Sequence, residues 1–274
     1  MRYFSIPSME IQFQQHDFSQ AVSSDVYQLY LVCREYIESF PKKVFSMIPR
    51  ETDISVPYIN KRVLDLGTGN GILLLMLAKE FQEIEYTGVE LLPELTEIAR
   101  MNLEKLSVFF TSNERLPLTA INDNSLNSRY AGCVPNSLNF NIINADYCNL
   151  FSVLDNSQKF DMIMCNPPYF QIGQGKISPI YEKAVARFEL KATLKGLLIT
   201  IRNYLAEDGK AFVIFPISRE KELEREVLKN KLQVTSPPLS SPTHTSYEGQ
   251  IESSPLLDSS LQKIKIFEIS HAKN

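Results

Sequence analysis

Val63-Leu64-Asp65-Leu66-Gly67-Thr68-Gly69-Asn70-Gly71-Ile72-Leu73 is the stretch whose reading decides the fold. Residues 62–66 read as a buried strand, and residues 69–81 as the helix behind it. Between them stand Gly67, Gly69 and Gly71. Glycines at such a turn let the backbone approach a ligand, and the start of the helix presents N–H groups that have no partner within it. A G-x-G-x-x-G dinucleotide turn would need its third glycine at position 72, which is Ile72.

Outward from that turn, strand and helix alternate. Residues 84–90 read as a second strand and 93–106 as a second helix, with Pro93 suited to its first turn. Residues 140–144 and 160–165 read as the third and fourth strands. Residues 183–205 carry helical periodicity, Glu207-Asp208-Gly209 reads as a turn, and residues 210–215 as a strand. Residues 219–229 form a charged surface helix, and 232–235 with 264–269 are expected to pair antiparallel at the edge. This alternation predicts an α/β domain. Upstream, residues 1–20 alternate around Ile11, Phe13 and Phe18, as a short hairpin or an extended arm would. Ser24-Asp25 is an N-cap signal before Val26, Leu29, Tyr30, Val32, Cys33 and Tyr36 at helical spacing. Pro41 interrupts, a second short helix is expected over 44–48, and Pro49 stops it ahead of a polar link, 50–61.

The organisation predicted is therefore an N-terminal arm and helical extension over 1–60 and one α/β domain over 61–274. Polar insertions lie near 111–137, rich in Asn and Ser, and near 236–260, rich in Ser and Pro. With 274 residues, 44% of them hydrophobic, the chain can bury one good core. A net charge of -4 gives no overall electrostatic footprint for nucleic acid, so such a substrate would need a local basic patch. Cys33, Cys133, Cys148 and Cys165 are scattered, as are His16, His244 and His271, and no metal is expected. Unpaired cysteines without a signal peptide point to the cytoplasm, and no apolar run is long enough to span a membrane. A monomer is the expected state.

Cys165-Asn166-Pro167-Pro168-Tyr169-Phe170 follows the fourth strand. Two prolines there stiffen the backbone and fix its carbonyls, because they can neither continue a ladder nor open a helix freely. A rigid carbonyl, an amide side chain and an aromatic face suit the gripping of a planar amino group.

The Asp65-to-Gly71 pattern resembles the first motif of class I S-adenosylmethionine methyltransferases. That resemblance implies a Rossmann-like, mostly parallel seven-stranded sheet with an antiparallel edge strand and helices on both faces. It implies S-adenosyl-L-methionine as cofactor, with the loop of Gly67, Thr68, Gly69 and Gly71 around the methionine moiety and Asp65 answering its ammonium. Glu90, at the next strand end, would accept from the ribose hydroxyls, since a carboxylate can take both donors of a cis-diol. Leu91 would pack on the adenine, Asp146 would accept from the adenine amino group, and Tyr147 completes the set. In amino-methyltransferases of this kind Asn166 and the Pro167 carbonyl would accept the two protons of a –NH2 group, Pro168 would stiffen the turn, and Tyr169 would stack on the base or amide. Phe170 would extend that wall or fill the core. A base within structured nucleic acid would have to be flipped out to reach them.

Asn166-to-Phe170, followed by Gly173-Gln-Gly-Lys-Ile-Ser-Pro179 and Ala184-Val-Ala-Arg-Phe-Glu189, resembles the bacterial valine-tRNA adenine-37 N6-methyltransferase family. Gln15, Phe18 and Asp25 match the spacing of that family's leading motif, while Phe188 stands where the family carries histidine. The partner this implies is RNA, a tRNA above all, with Arg2, Lys42, Lys43, Lys61, Arg62, Lys176 and Lys183 as candidates for phosphate contact. Two other amino-methyltransferases share the turn. One is the glutamine N5-methyltransferase of release factors, which normally adds a Glu-Pro segment and a larger helical N-terminal domain, neither evident here. The other is a ribosomal-RNA guanine N2-methyltransferase. A cofactor-binding scaffold without activity is opposed by the intact Asp65, Glu90, Asp146 and Asn166.

Overall fold

The structure is a computed structural model that describes residues 2–5, 12–15, 23–40, 43–45, 54–56, 61–113, 138–167, 193–237 and 264–272. At the N-terminus β1 (Arg2–Ser5) and β2 (Gln12–Gln15) pair antiparallel, which selects the hairpin of the two expected forms. Helix α1 spans Ser24–Glu38 and is capped one residue earlier than the sequence suggests, the Ser23 hydroxyl accepting from Val26 N. Strands β3 (Lys43–Phe45) and β4 (Ile54–Val56) then pair antiparallel, so Val44 and Phe45 are extended and not the start of a helix. A stretch this short, cut off by proline on both sides, carries too little periodicity to separate the two.

The body of the molecule is a seven-stranded sheet in the order β10-β11-β9-β8-β5-β6-β7. Its strands are β5 (Arg62–Leu66), β6 (Glu85–Glu90), β7 (Asn139–Asn144), β8 (Phe160–Cys165), β9 (Leu205–Pro216), β10 (Leu232–Thr235) and β11 (Ile264–His271). β7, β6, β5, β8 and β9 run parallel, while β11 is antiparallel to both β9 and β10, which is the expected edge pair. From β5 the chain winds outward through β6 to β7, then returns to the other side of β5 as β8. The strand order therefore reverses between β5 and β8, where open α/β sheets bind ligands at their carboxyl ends.

Helices cover both faces. On one, α1, α2 (Ile72–Glu80) and α3 (Pro93–Asn113) pack with Val63, Met162, Met164, Phe212 and Ile214. On the other, α4 (Leu194–Tyr204), α5 (Glu220–Lys229) and the 3-10 turn Tyr147–Ser152 pack with Leu64, Ile163, Cys165, Val213 and Phe215. Successive strand residues point to opposite faces, so strands buried on both must be apolar along most of their length. That is why β5, β8 and the second half of β9 read as largely apolar runs, interrupted by Asp65 in β5 and Asp161 in β8.

Several boundaries differ from the sequence expectation. α2 begins at Ile72 and not Gly69, because Gly69 and Gly71 have φ of 58° and 82° and cannot belong to a right-handed helix. α3 continues to Asn113, where Phe109 and Phe110 pack against the core and the Thr111 hydroxyl donates to Val108 O. Glu207-Asp208-Gly209 lies inside β9, but the pairing register with β8 jumps from Phe160↔Leu205 to Met162↔Lys210, so the predicted turn survives as a bulge. Of residues 183–205, the helix covers Leu194–Tyr204 among the described residues.

Candidate functional site

Leu66, Val89 and Cys165 share one register row of the sheet. Immediately beyond them in the chain come the glycine loop, Glu90 and Asn166, so all three emerge along the same edge. Gly67 N and Thr68 N both donate to Val89 O, at 2.8 and 3.0 Å, which lays the loop across the end of β6. Gly67 and Gly69 have φ of 78° and 58°, and a Cβ at either would project into open space with no atom within 4 Å. The loop thus presents bare backbone to a void.

The carboxylate of Glu90 is clamped. Its Oε2 accepts from Gly69 N and its Oε1 from Leu92 N, both at 2.9 Å, and the residue is 7% exposed. Burial pushes its pKa up, against backbone N–H groups of Leu92, Gly69 and Leu91 that pull it down. Each oxygen keeps a second acceptor site for a further donor. Leu91 packs on a small apolar group formed by Leu92, Leu95 and Ile98.

Asp65 lies beneath the loop at 1% exposure. Burial raises its pKa to about 7; a nearby Thr68 hydroxyl lowers it and Glu90 raises it further. Yet neither Asp65 Oδ2 nor Thr68 Oγ1 completes a hydrogen bond of normal geometry, and Asn70 Nδ2, also buried, is unmet. Its charge reaches Cys33 on α1 and Cys165 on β8, whose thiols are pushed up by burial and then by Asp65.

Asp146 follows β7 and caps the 3-10 turn, its Oδ1 accepting from Cys148 N at 2.9 Å. Tyr147 is buried in that turn, and its carbonyl accepts from the Thr200 hydroxyl of α4 at 2.7 Å. Asn166 is half-buried at the end of β8 with Pro167 buried behind it, while Pro168, Tyr169 and Phe170 lie outside the described residues. So do Lys42, Lys176, Lys183 and the stretch from Arg187 to Glu189.

Lys61 and Arg62 lie away from the loop. They stand at the amino-terminal edge of the sheet, in ion pairs with Asp161 at 2.6 Å and Glu85 at 3.0 Å. The loop and Asn166 are at the carboxyl edge, so these cations stand at the opposite end of the strand from the reacting group. The strand reading over 62–66, with the glycine loop after it, already places both residues at the end opposite the loop. Among the described residues no group of His, Cys, Asp or Glu could hold a metal ion, and no helix is long and apolar enough to cross a membrane. Asn70, Asn102 and Asn144, which bond within the loop and strand ends, were not singled out from the sequence.

Residues 63–127, which contain β5, the loop, β6 and α3, match the family described as a methyltransferase domain. The strand order and the loop at its reversal agree with that match. Over those residues the chain is similar to a methyltransferase domain. Curated relatives of this domain are named tRNA1(Val) (adenine(37)-N6)-methyltransferase. One from Porphyromonas gingivalis is 29% identical over 60% of this chain and 53% of that protein. One from Aliivibrio fischeri is 28% identical over 62% and 57%, and one from Shewanella baltica 31% identical over 57% and 53%. The chain thus spans about half the length of the curated relatives it matches. Among solved structures, a methyltransferase from Pyrococcus furiosus is similar at 15% identity and a TM-score of 0.49, over 94% of this chain and 86% of that one.

S-adenosylmethionine is the methyl donor that a methyltransferase domain of this class implies. The residues present fit it. A buried carboxylate with an unmet oxygen suits an ammonium, and bare glycine backbone facing open space admits a chain.

Proposed function

We propose that this chain is an S-adenosylmethionine-dependent N-methyltransferase that methylates an exocyclic amino group, N6 of an adenine in tRNA. The observation that carries the reading is the shared register row of Leu66, Val89 and Cys165, which sets the cofactor loop, Glu90 and the Asn166-Pro167 turn along one edge. The cofactor, when bound, supplies an electrophilic sulfonium methyl. Asp65 would hold its ammonium, Gly67 to Gly71 would line its methionine chain, and Glu90 would accept from its ribose hydroxyls. Leu91 and Tyr147 would flank its adenine, and Asp146 would accept from the adenine amino group.

Asn166 Oδ1 and the Pro167 carbonyl accept the two N–H groups of the substrate amine and turn its lone pair toward the methyl carbon. The bound cofactor would give up its methyl group to that nitrogen and leave as the neutral thioether, and the nitrogen's extra proton would pass to solvent. Positioning and electrostatics suffice, since the leaving group is already activated. Tyr169 stacks on the flipped base, held by a turn that Pro168 stiffens. The names of the curated relatives support RNA as substrate, and the reaction belongs in the cytoplasm, with the chain acting as a monomer.

The test is transfer of tritiated methyl from S-adenosylmethionine to total tRNA and, separately, to purified release factor. Label recovered as N6-methyladenine in tRNA is expected. Label on protein alone would replace this reading with glutamine N5-methylation, and label on neither would overturn both. In the Asn166→Ala variant, cofactor binding persists while transfer falls by about a hundredfold or more; undiminished transfer would remove Asn166 from its assigned role.

A further inference from the structure

The cofactor cradle is made of backbone, and backbone must be held by something. Two asparagine amides do this, each reaching in from an element outside the loop. Asn102, buried on α3 at 1% exposure, donates from Nδ2 to the Asn70 carbonyl at 3.0 Å. Asn70 is itself 2% exposed, and its Oδ1 accepts from Ile72 N at the start of α2. One helical turn before Asn102, Ala99 faces Gly71 so closely that a Cβ there would lie 3.3 Å from the Ala99 Cβ. α3 therefore grips the loop at two neighbouring points, one polar and one steric.

Asn144 does the equivalent at the strand end. Its Nδ2 donates to the Glu90 and Leu91 carbonyls, both at 3.0 Å, and to Thr96 Oγ1 at 3.1 Å. The Thr96 hydroxyl in turn donates to Leu92 O at 3.0 Å. One amide thus ties the end of β6, where the Glu90 carboxylate leaves the strand, to the first turn of α3. The Asn144 position pairs with Glu90 in the sheet register, so the clasp is built into the β6–β7 ladder. In each case the donor is a side-chain NH2 and the acceptor a main-chain carbonyl of the cradle. No apolar residue of similar size can replace that, and an ionised carboxylate would repel the carbonyl.

We infer that Asn102 and Asn144 are positioning residues for the cofactor, Asn102 for the half of the cradle that receives the methionine chain and Asn144 for the half that receives the adenosine. The inference rests on the cofactor assignment made under the proposed function. The loop and the β6 end meet at the Gly69 N–Glu90 Oε2 bond, but each is fixed by a different amide from a different element, so loss of one should weigh more on its own half.

The experiment uses the full chain and two ligands in isothermal titration. S-adenosylhomocysteine carries both halves, whereas 5′-methylthioadenosine carries the adenosine without the amino acid. In Asn102→Ala, affinity for S-adenosylhomocysteine falls about tenfold, as expected for one lost hydrogen bond, and affinity for 5′-methylthioadenosine falls by a clearly smaller factor. In Asn144→Ala both ligands weaken by the same factor, about tenfold. A residue that merely stabilised the fold would not split the ligands in this way. Where an alanine variant fails to fold, Asn102→Asp and Asn144→Asp, which keep the volume and lose the donor, carry the same expectation. Equal loss of both ligands in the Asn102 variants, or no loss in the Asn144 variants, would overturn the inference. Failure of the unmutated chain to bind S-adenosylhomocysteine would instead overturn the cofactor assignment, so the two failures are distinguishable.

Discussion

Asp65 is a carboxyl group 1% exposed with a pKa raised to about 7, mainly by burial. Its folded-state value lies above the ordinary 3.8, so the folded chain holds a proton that the unfolded chain gives up. The stability this represents is fully present below about pH 4 and is lost as pH rises through about 7. Replacing the group by a neutral isostere removes that slope. Relative to the unmutated chain, Asp65→Asn should therefore gain about 2–3 kcal/mol more stability at pH 8 than at pH 5, read from urea unfolding at the two values. Cofactor binding should respond in the opposite sense. An ammonium placed against Asp65 favours its charged form, so binding expels a proton below pH 7 and the affinity for S-adenosylhomocysteine climbs between pH 5.5 and 8. In Asp65→Asn the affinity is lower and flat over that range. A flat profile in the unmutated chain would mean that Asp65 is not the counter-charge.

Between residues and the whole chain stands the strand–loop–helix unit, and its fit depends on where side chains are missing. A Cβ on Gly88 of β6 would come within 2.8 Å of Ile142 Cδ1 and 3.0 Å of both Leu74 Cδ1 and Thr68 Cγ2. Gly88→Ala should push Thr68 and the loop above it, lowering stability by about 1–3 kcal/mol and weakening S-adenosylhomocysteine in the same titration. Unchanged cofactor affinity beside a lowered Tm would confine Gly88 to core packing. The unit itself was legible in the sequence, because β5 and β8 are buried on both faces and so largely apolar, and because Gly67, Gly69 and Gly71 mark the turn. What was not legible has physical causes. Left-handed φ at Gly69 and Gly71 delays α2 to Ile72, which a hydrophobic period cannot reveal. The three-residue strands β3 and β4 exist by pairing with each other, so Val44 and Phe45 alone could pass for helix. Asn102 and Asn144 look like any surface asparagine until tertiary structure brings the carbonyls of Asn70, Glu90 and Leu91 to them.

Across the molecule, the sequence suggests a division at residue 60, yet α1 contributes Val26, Leu29, Cys33 and Ile37 to the same apolar cluster as Val63, Leu74, Met164 and Phe212. The Tyr30 hydroxyl and Arg34 both bond Glu80 at the end of α2, and Tyr36 packs edge-on against Phe212 of β9. A helix joined to a sheet by a fully buried seam is expected to fold with it, since removing it would return that apolar area to water. Leu29→Ala should then cost about 2–5 kcal/mol of the stability of the entire chain, in a single unfolding transition. A chain begun at Lys61 should lack a cooperative thermal transition and should not bind S-adenosylhomocysteine. The contrary result is equally informative. If the shortened chain unfolds cooperatively at the same Tm and keeps its ligand affinity, α1 is an appendage laid on a finished core, and the field of Asp65 felt at Cys33 plays no part in how the cradle holds its charge.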